Sequence, residues 1–165
     1  MTDLVVQKMI AYYGTDVPRI NHALKVYSFA NFIARREGLS ERQIQIVDIA
    51  AILHDIGIPA AEKKYNSSSG HYQEIEGPPI ARKLLADLNP DKTLLDRVCF
   101  LIGNHHSYQH IDGIDFQILI EADFLVNSYE NELPEHAIAS FRKSYFKTET
   151  GTATLKSMYA TAADK

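Results

Sequence analysis

One cysteine, Cys99, stands in a chain of 165 residues, so no intrachain disulfide can form. A chain this poor in thiols suits a reducing compartment. There is no basic block either: Lys and Arg total 17 against 21 Asp and Glu, for a formal net charge of −4. That argues against general affinity for duplex nucleic acid, which needs a cationic stripe to meet the phosphates. It leaves room for a small anionic ligand, because a bound cation reverses the local field of an acidic protein. No apolar run looks long enough to span a membrane. The opening Met-Thr-Asp-Leu lacks the basic-then-apolar layout of an export signal. The expectation is a cytoplasmic chain with no membrane partner, in which the sequon Asn66-Ser67-Ser68 has no meaning. Several enzyme signatures are missing as well: no Gly-rich phosphate loop ending in Lys-Ser or Lys-Thr, no G-x-S-x-G, no H-E-x-x-H. Cys99 lies in an apolar stretch and reads as core rather than nucleophile.

No segment alternates apolar and polar residues as a half-buried strand does. What the sequence has instead is helical periodicity with clear punctuation, and a composition that is 45% apolar and 23% charged. This predicts an all-α fold: a compact helical bundle of about six to eight helices, with no sheet. One domain is expected over residues 1–165, with a motif-bearing core at about 20–130 and C-terminal helices at 131–165. The first helix runs from Thr2 to Tyr13 and stops near Gly14. Asp16 caps a second, with Pro18 in its first turn and Gly38 past its end. Ser40 with Gln43 is a capping box that opens a third, ending at His54-Asp55-Ile56-Gly57. Residues 60–76 read as a long polar loop with at most one short helical turn. Pro78-Pro79 open a fourth helix and Asn89-Pro90 a fifth, which runs to about Gly103. After a histidine-rich loop from Asn104 to Gly113, Asp115 caps a sixth helix to about Asn131. Pro134 starts a seventh, and the tail beyond Thr148 holds one weak helix.

The informative residues are polar groups on apolar helix faces. His22 sits one turn before Val26 on the stripe Val26, Phe29, Ala30, Ile33. The stripe Ile44, Val47, Ala51 runs directly into His54 and Asp55. Asp123 lies within Phe116, Leu119, Ile120, Val126, and His105 extends Leu94, Val98, Leu101, Ile102. Taken singly, each has an ordinary explanation: a hydrogen-bonded core histidine, a helix cap, a partly exposed aspartate. Taken together they point two carboxylates and several imidazoles at one interior. Buried carboxylates must be paired, hydrogen-bonded or metal-bound, and no Lys or Arg falls on these stripes. Asp55 also sits where the helix dipole repels it. A divalent cation held by His22, His54, Asp55 and Asp123 satisfies all of these groups at once. Mixed N and O ligands suit Zn, Mn, Fe or Ni better than Mg.

The order His22, His54-Asp55, Asp123 resembles the HD-domain phosphohydrolase superfamily. Ala50-Ala51-Ile52-Leu53-His54-Asp55-Ile56-Gly57 is similar to its central motif, and Ile120-Glu121-Ala122-Asp123 to its final ligand motif. Gly77-Pro78-Pro79-Ile80-Ala81 resembles its small-residue helix start. Gly103-Asn104-His105-His106 resembles its later histidine motif. The resemblance implies an all-α fold around one or two divalent ions. It also implies hydrolysis of a phosphate ester or anhydride in a small phosphorylated metabolite, most often a nucleotide. It makes His22, His54, Asp55 and Asp123 the first-metal ligands, and His71, His105 and His106 the candidates for a second metal. Two positions depart from the common pattern. Ile58 replaces the lysine after the central glycine, and Gln73 stands four residues before Gly77 where two-metal members have histidine.

The expected chemistry is attack of metal-activated hydroxide on phosphorus. Asp55 bridges two ions where both are present, and His105, His106 or His110 protonates the leaving group. Lys63, Lys64 and Arg82 flank the loop after the His-Asp pair and are the candidate phosphate-binding cations. Tyr65, Tyr72 and Tyr108 are candidates for stacking on a base. A non-catalytic metal- or nucleotide-sensing domain on the same fold is the alternative. Monomer and homodimer are both compatible with the sequence.

Overall fold

The computed structural model describes residues 1–159, so the last six positions of the expected C-terminal segment lie outside the described residues. Its α-helices are α1 (Thr2–Tyr13), α2 (Val17–Arg36), α3 (Glu41–Leu53), α4 (Ile58–Tyr65), α5 (Gly70–Leu85), α6 (Lys92–Ile102), α7 (Ile114–Glu130), α8 (Glu135–Tyr145) and α9 (Glu149–Met158). Short 3₁₀ turns lie at Ala86–Leu88 and Tyr108–His110, and no strand occurs among the described residues.

The sequence-level stop and start signals explain most boundaries. Asp16 accepts a hydrogen bond from the Arg19 amide at the start of α2. Ser40 and Gln43 form both halves of the capping box of α3. Asp91, rather than Asn89-Pro90, caps α6 through the Leu94 amide. At α7 the cap position is Gly113, and Asp115 instead engages Arg97 and the Phe116 amide.

The third helix is the centre of the bundle. Every residue from Ile46 to Leu53 is buried, because α1, α2, α6 and α7 all pack against it. A helix enclosed on all sides reads as continuously apolar rather than striped. This corrects the reading of the apolar runs. Glu41–Tyr65, with mean hydropathy 1.5, is long and apolar enough to cross a membrane by composition, yet 67% of the window is buried within the fold. One core cluster joins Val5 on α1 to Leu155 on α9.

The segment 60–76 is the main correction to the expected elements. It is helical except for the break at residues 66–69, and it brings the helix total among the described residues to nine. Pro78 and Pro79 lie inside α5 instead of opening it. Two prolines in a row remove the amide donors that the carbonyls of residues 74 and 75 would otherwise receive. Tertiary packing holds the helix through this weak turn: a Cβ on Gly77 would stand 2.6 Å from Ile102, and one on Gly57 would stand 2.5 Å from the Gln73 carbonyl. The glycine pair lets the backbone of α5 lie directly on the turn that follows His54-Asp55.

Candidate metal centre

Five chemically active side chains from four parts of the fold converge. His22 lies in the second turn of α2, His54 closes α3, Asp55 follows in the turn, and Asp123 lies in the middle of α7. His105 comes from the turn after α6. His22 Nε2 stands 3.2 Å from His54 Nε2, 3.2 Å from Asp123 Oδ1 and 3.5 Å from Asp55 Oδ2. His54 Nε2 is 3.4 Å from Asp55 Oδ2 and 3.5 Å from Asp123 Oδ1. Ligand atoms about 2.0–2.2 Å from one ion stand about 2.8–3.6 Å apart at octahedral and tetrahedral angles. The five separations fall inside that range.

The hydrogen bonds on the far side of each ring decide what these atoms can be. His54 Nδ1 is 2.8 Å from the Ala51 carbonyl, and His105 Nδ1 is 2.8 Å from the Ile102 carbonyl. A carbonyl only accepts, so both Nδ1 atoms carry hydrogen. His22 Nδ1 lies 2.7 Å from Glu130 Oε2, again an acceptor when ionised. In the neutral imidazoles all three Nε2 atoms are therefore bare lone pairs. They face each other and the aspartate oxygens, acceptor against acceptor. His105 Nε2, 3.4 Å from Asp55 Oδ1, is buried and has no hydrogen-bond partner. Only a proton on each ring or a shared cation makes this arrangement favourable. The donor set of imidazole nitrogens and carboxylate oxygens fits a divalent transition metal.

Electrostatics state the same demand for positive charge. Burial alone would lower the imidazole of His22 and raise the carboxyl of Asp123, but their mutual contact reverses both directions. Burial likewise works against charge on His54, yet Asp55 and Asp123 hold its imidazole well above the usual range. Asp55 is held well below the carboxylate range by His54 and His105, against its own burial. The same carboxylates that would hold a cation favour the protonated forms of His22 and His54.

Asp55 turns one oxygen towards each of two clusters. Oδ2 faces His22 and His54, and Oδ1 faces His105. Asp55, His105 and His106 form a second group of potential ligands, beside the group His22, His54 and Asp123. His106 Nε2 donates to Gln73 Oε1 at 3.0 Å, and Gln73 in turn donates to the Ser68 carbonyl at 2.7 Å. The residue that departs from the two-metal pattern is thus a hydrogen-bond partner of His106. Gly70 makes room for the ring, since a Cβ there would meet it at 2.6 Å. Burial and the neighbouring His105 push the His106 imidazole below its ordinary range, so it is neutral near pH 7.

Other expected site residues lie apart. His71, exposed in the first turn of α5, belongs to neither group of potential ligands and packs beside Tyr72. The ammonium of Lys64 is held 2.8 Å from Glu76, and the guanidinium of Arg82 is 2.8 Å from Asp96 on α6. Lys63 is exposed in the last turn of α4. Tyr65 and Tyr72 stack on each other with centroids 4.1 Å apart, and Tyr108 packs on Phe141 and Tyr145. His110 is exposed, with Nδ1 3.1 Å from Asn104 Oδ1.

Sequence reasoning passed over two charged residues on the helices that carry His22 and Asp123. Arg19, one turn before His22, bonds to Asp16 and to Glu62 on α4. Glu130, two turns after Asp123 on α7, reaches His22. Their spacing from the ligands, i−3 and i+7, was the available signal.

The HD domain family model matches residues 19–164. A crystal structure described as a predicted HD superfamily hydrolase from an uncultured Thermotogales bacterium superposes with a TM-score of 0.69. It is 25% identical in sequence, with 94% of this chain and 83% of that chain covered. No curated protein matches. The chain belongs to the HD domain family.

Proposed function

We propose that this chain is a metal-dependent phosphohydrolase that cleaves a phosphate ester or anhydride in a small phosphorylated metabolite, with nucleotides as the favoured class. The observation that carries the reading is the set of bare, inward-facing Nε2 atoms opposed to two aspartates, with His105 Nε2 buried and unpartnered. His22, His54, Asp55 and Asp123 would hold the ion, and Asp55 also presents an oxygen to the second group. When bound, such an ion supplies hydroxide near neutral pH and offsets phosphate charge. The chain's own residues do the rest. His54 and His105 keep a fixed tautomer through backbone carbonyls. His106, neutral near pH 7 and held by Gln73, would bind the second ion or orient substrate, and the leaving oxygen would take its proton from water. Arg19, one turn before His22 and paired with Asp16 and Glu62, joins Lys63, Lys64 and Arg82 as a candidate to meet a substrate phosphate. The lone buried cysteine is consistent with a cytoplasmic setting.

The test is elemental analysis of the purified chain together with a panel of phosphate esters and nucleotides, repeated on Asp55→Ala. Stoichiometric transition metal in the wild type, lost with turnover in the variant, is the expected result. Equal metal content in both proteins rules out the centre. Metal without cleavage of any ester identifies a sensing domain instead.

A further inference from the structure

Three histidines point Nε2 into the centre, but their outer nitrogens are held in two different ways. His54 and His105 lie at or just past the ends of helices, where carbonyls of the last turn are unclaimed, and each bonds the carbonyl three residues back. His22 cannot do this. It lies inside α2, where the carbonyls are committed to the helix ladder. Its Nδ1 therefore needs an acceptor from another element. Glu130 is that acceptor, at 2.7 Å, from the last residue of α7. The same helix thus holds His22 from both sides, with Asp123 at Nε2 and Glu130 at Nδ1. The other Glu130 oxygen receives the ammonium of Lys25 at 2.8 Å, and Lys25 lies one turn after His22. The chain Lys25, Glu130, His22 leads from the surface to the centre.

We propose that Glu130 is a positioning residue for the metal centre. It keeps hydrogen on His22 Nδ1 so that the Nε2 lone pair faces the ion, and Lys25 fixes the Glu130 carboxylate for this task. The proposal rests on the metal reading above. A carboxylate behind a ligating imidazole fixes the ring and raises its strength as a donor, and loss of such partners costs about 10–100-fold in metal affinity. It also makes His22 the one imidazole of the three whose support comes from an ionised side chain. The bland alternative is an ordinary ion pair that ties α2 to α7 without bearing on the ion.

The two are separated with the full chain loaded with zinc, comparing wild type, Glu130→Ala, Glu130→Gln and Lys25→Met. Zinc affinity is read by competition with a chromophoric chelator. The His22 tautomer is read from long-range proton–nitrogen NMR correlations of the histidine rings. Melting of each ion-free protein reports any general loss of fold. Glu130→Ala is expected to weaken zinc about 10–100-fold and to remove the single Nδ1–H form of His22. Glu130→Gln, which still offers a carbonyl oxygen to Nδ1–H, should recover most of that loss, and Lys25→Met should fall between it and wild type. Affinity in Glu130→Ala within twofold of wild type overturns the proposal, as does a loss that glutamine leaves unrescued. A wild-type chain that takes up no zinc defeats the metal reading itself. Zinc bound equally by wild type and Glu130→Ala defeats this inference alone.

Discussion

Asp55 concentrates the demands of the site because its two oxygens serve different neighbours, Oδ2 the pair His22 and His54, and Oδ1 the otherwise unpartnered His105. Replacing it removes the common member of both ligand groups. Asp55→Ala is expected to abolish stoichiometric metal and to lower turnover on any cleaved ester by at least about 100-fold, the order lost with a key electrostatic group. Metal content and steady-state rates measured on one preparation check this. Arg19 has a different expected signature. It lies one turn before His22 and pairs with Asp16 and Glu62. Arg19→Ala should raise KM about tenfold and leave metal content unchanged, the pattern of lost substrate binding. A fall in bound metal instead would place Arg19 in the scaffold. Neither Arg19 nor Glu130 was chosen from the sequence. A lone charge near a helix terminus reads as surface charge until a partner from another helix is known.

Among the elements, the turn after α3 shows how local sequence and packing divide the work. His54-Asp55-Ile56-Gly57 is legible as a motif, but the need for glycine comes from α5, whose Gln73 carbonyl and Gly77 amide lie where a Cβ would go. The opposing atoms are backbone and cannot swing aside. Gly57→Ala is expected to destabilise the fold by about 1–3 kcal/mol, as overpacking does. That corresponds to a fall in melting temperature of about 2–4 °C per kcal/mol at this size. A melting temperature equal to wild type would mean that α5 moves away freely. The same contact explains why residues 60–76 look like a loop in the sequence. Helices α4 and α5 are short or interrupted by prolines, and most of their polar residues, Gln73 excepted, are not buried. Their helical state depends on packing, α4 on α5 and α5 on α6 and the turn, rather than on propensity.

For the whole molecule, the unusual protonation of the centre becomes a pH dependence. His22 and His54 are raised above their ordinary value of 6.5. Their contribution is fully present below that value and is lost as pH rises through the folded-state values. Asp55 and Asp123 are lowered below 3.8, so their contribution is present above it and is lost as pH falls through the folded-state values. His106, lowered from 6.5, acts oppositely to the other two histidines and contributes above that value. The ion-free protein is therefore favoured in mildly acidic solution, where the carboxylates face protonated His22 and His54. Metal needs those imidazoles deprotonated. The rise in melting temperature on adding excess manganese or zinc is expected to be larger at about pH 8 than at about pH 6. Chelation at the higher pH should destabilise the protein more. Thermal scans with and without ion at both pH values decide it, and equal increments at both would show that the ion does not compete with these protons.

The sequence by itself determined the helical class and most helix boundaries, and it put His22, His54, Asp55, Asp123 and His105 on or beside apolar helix faces; His106 entered only through the family resemblance. Apart from His106, these follow from short-range rules: caps, periodicity, and polar groups placed on apolar faces. Tertiary structure decided the rest. It set Glu130 behind His22, Gln73 against His106 and Gly77 against Gly57, and it paired Lys64 and Arg82 with Glu76 and Asp96. The separation is physical. Hydrogen bonds within a turn are written in neighbouring residues, whereas the partner of a side chain from another helix depends on how those helices cross.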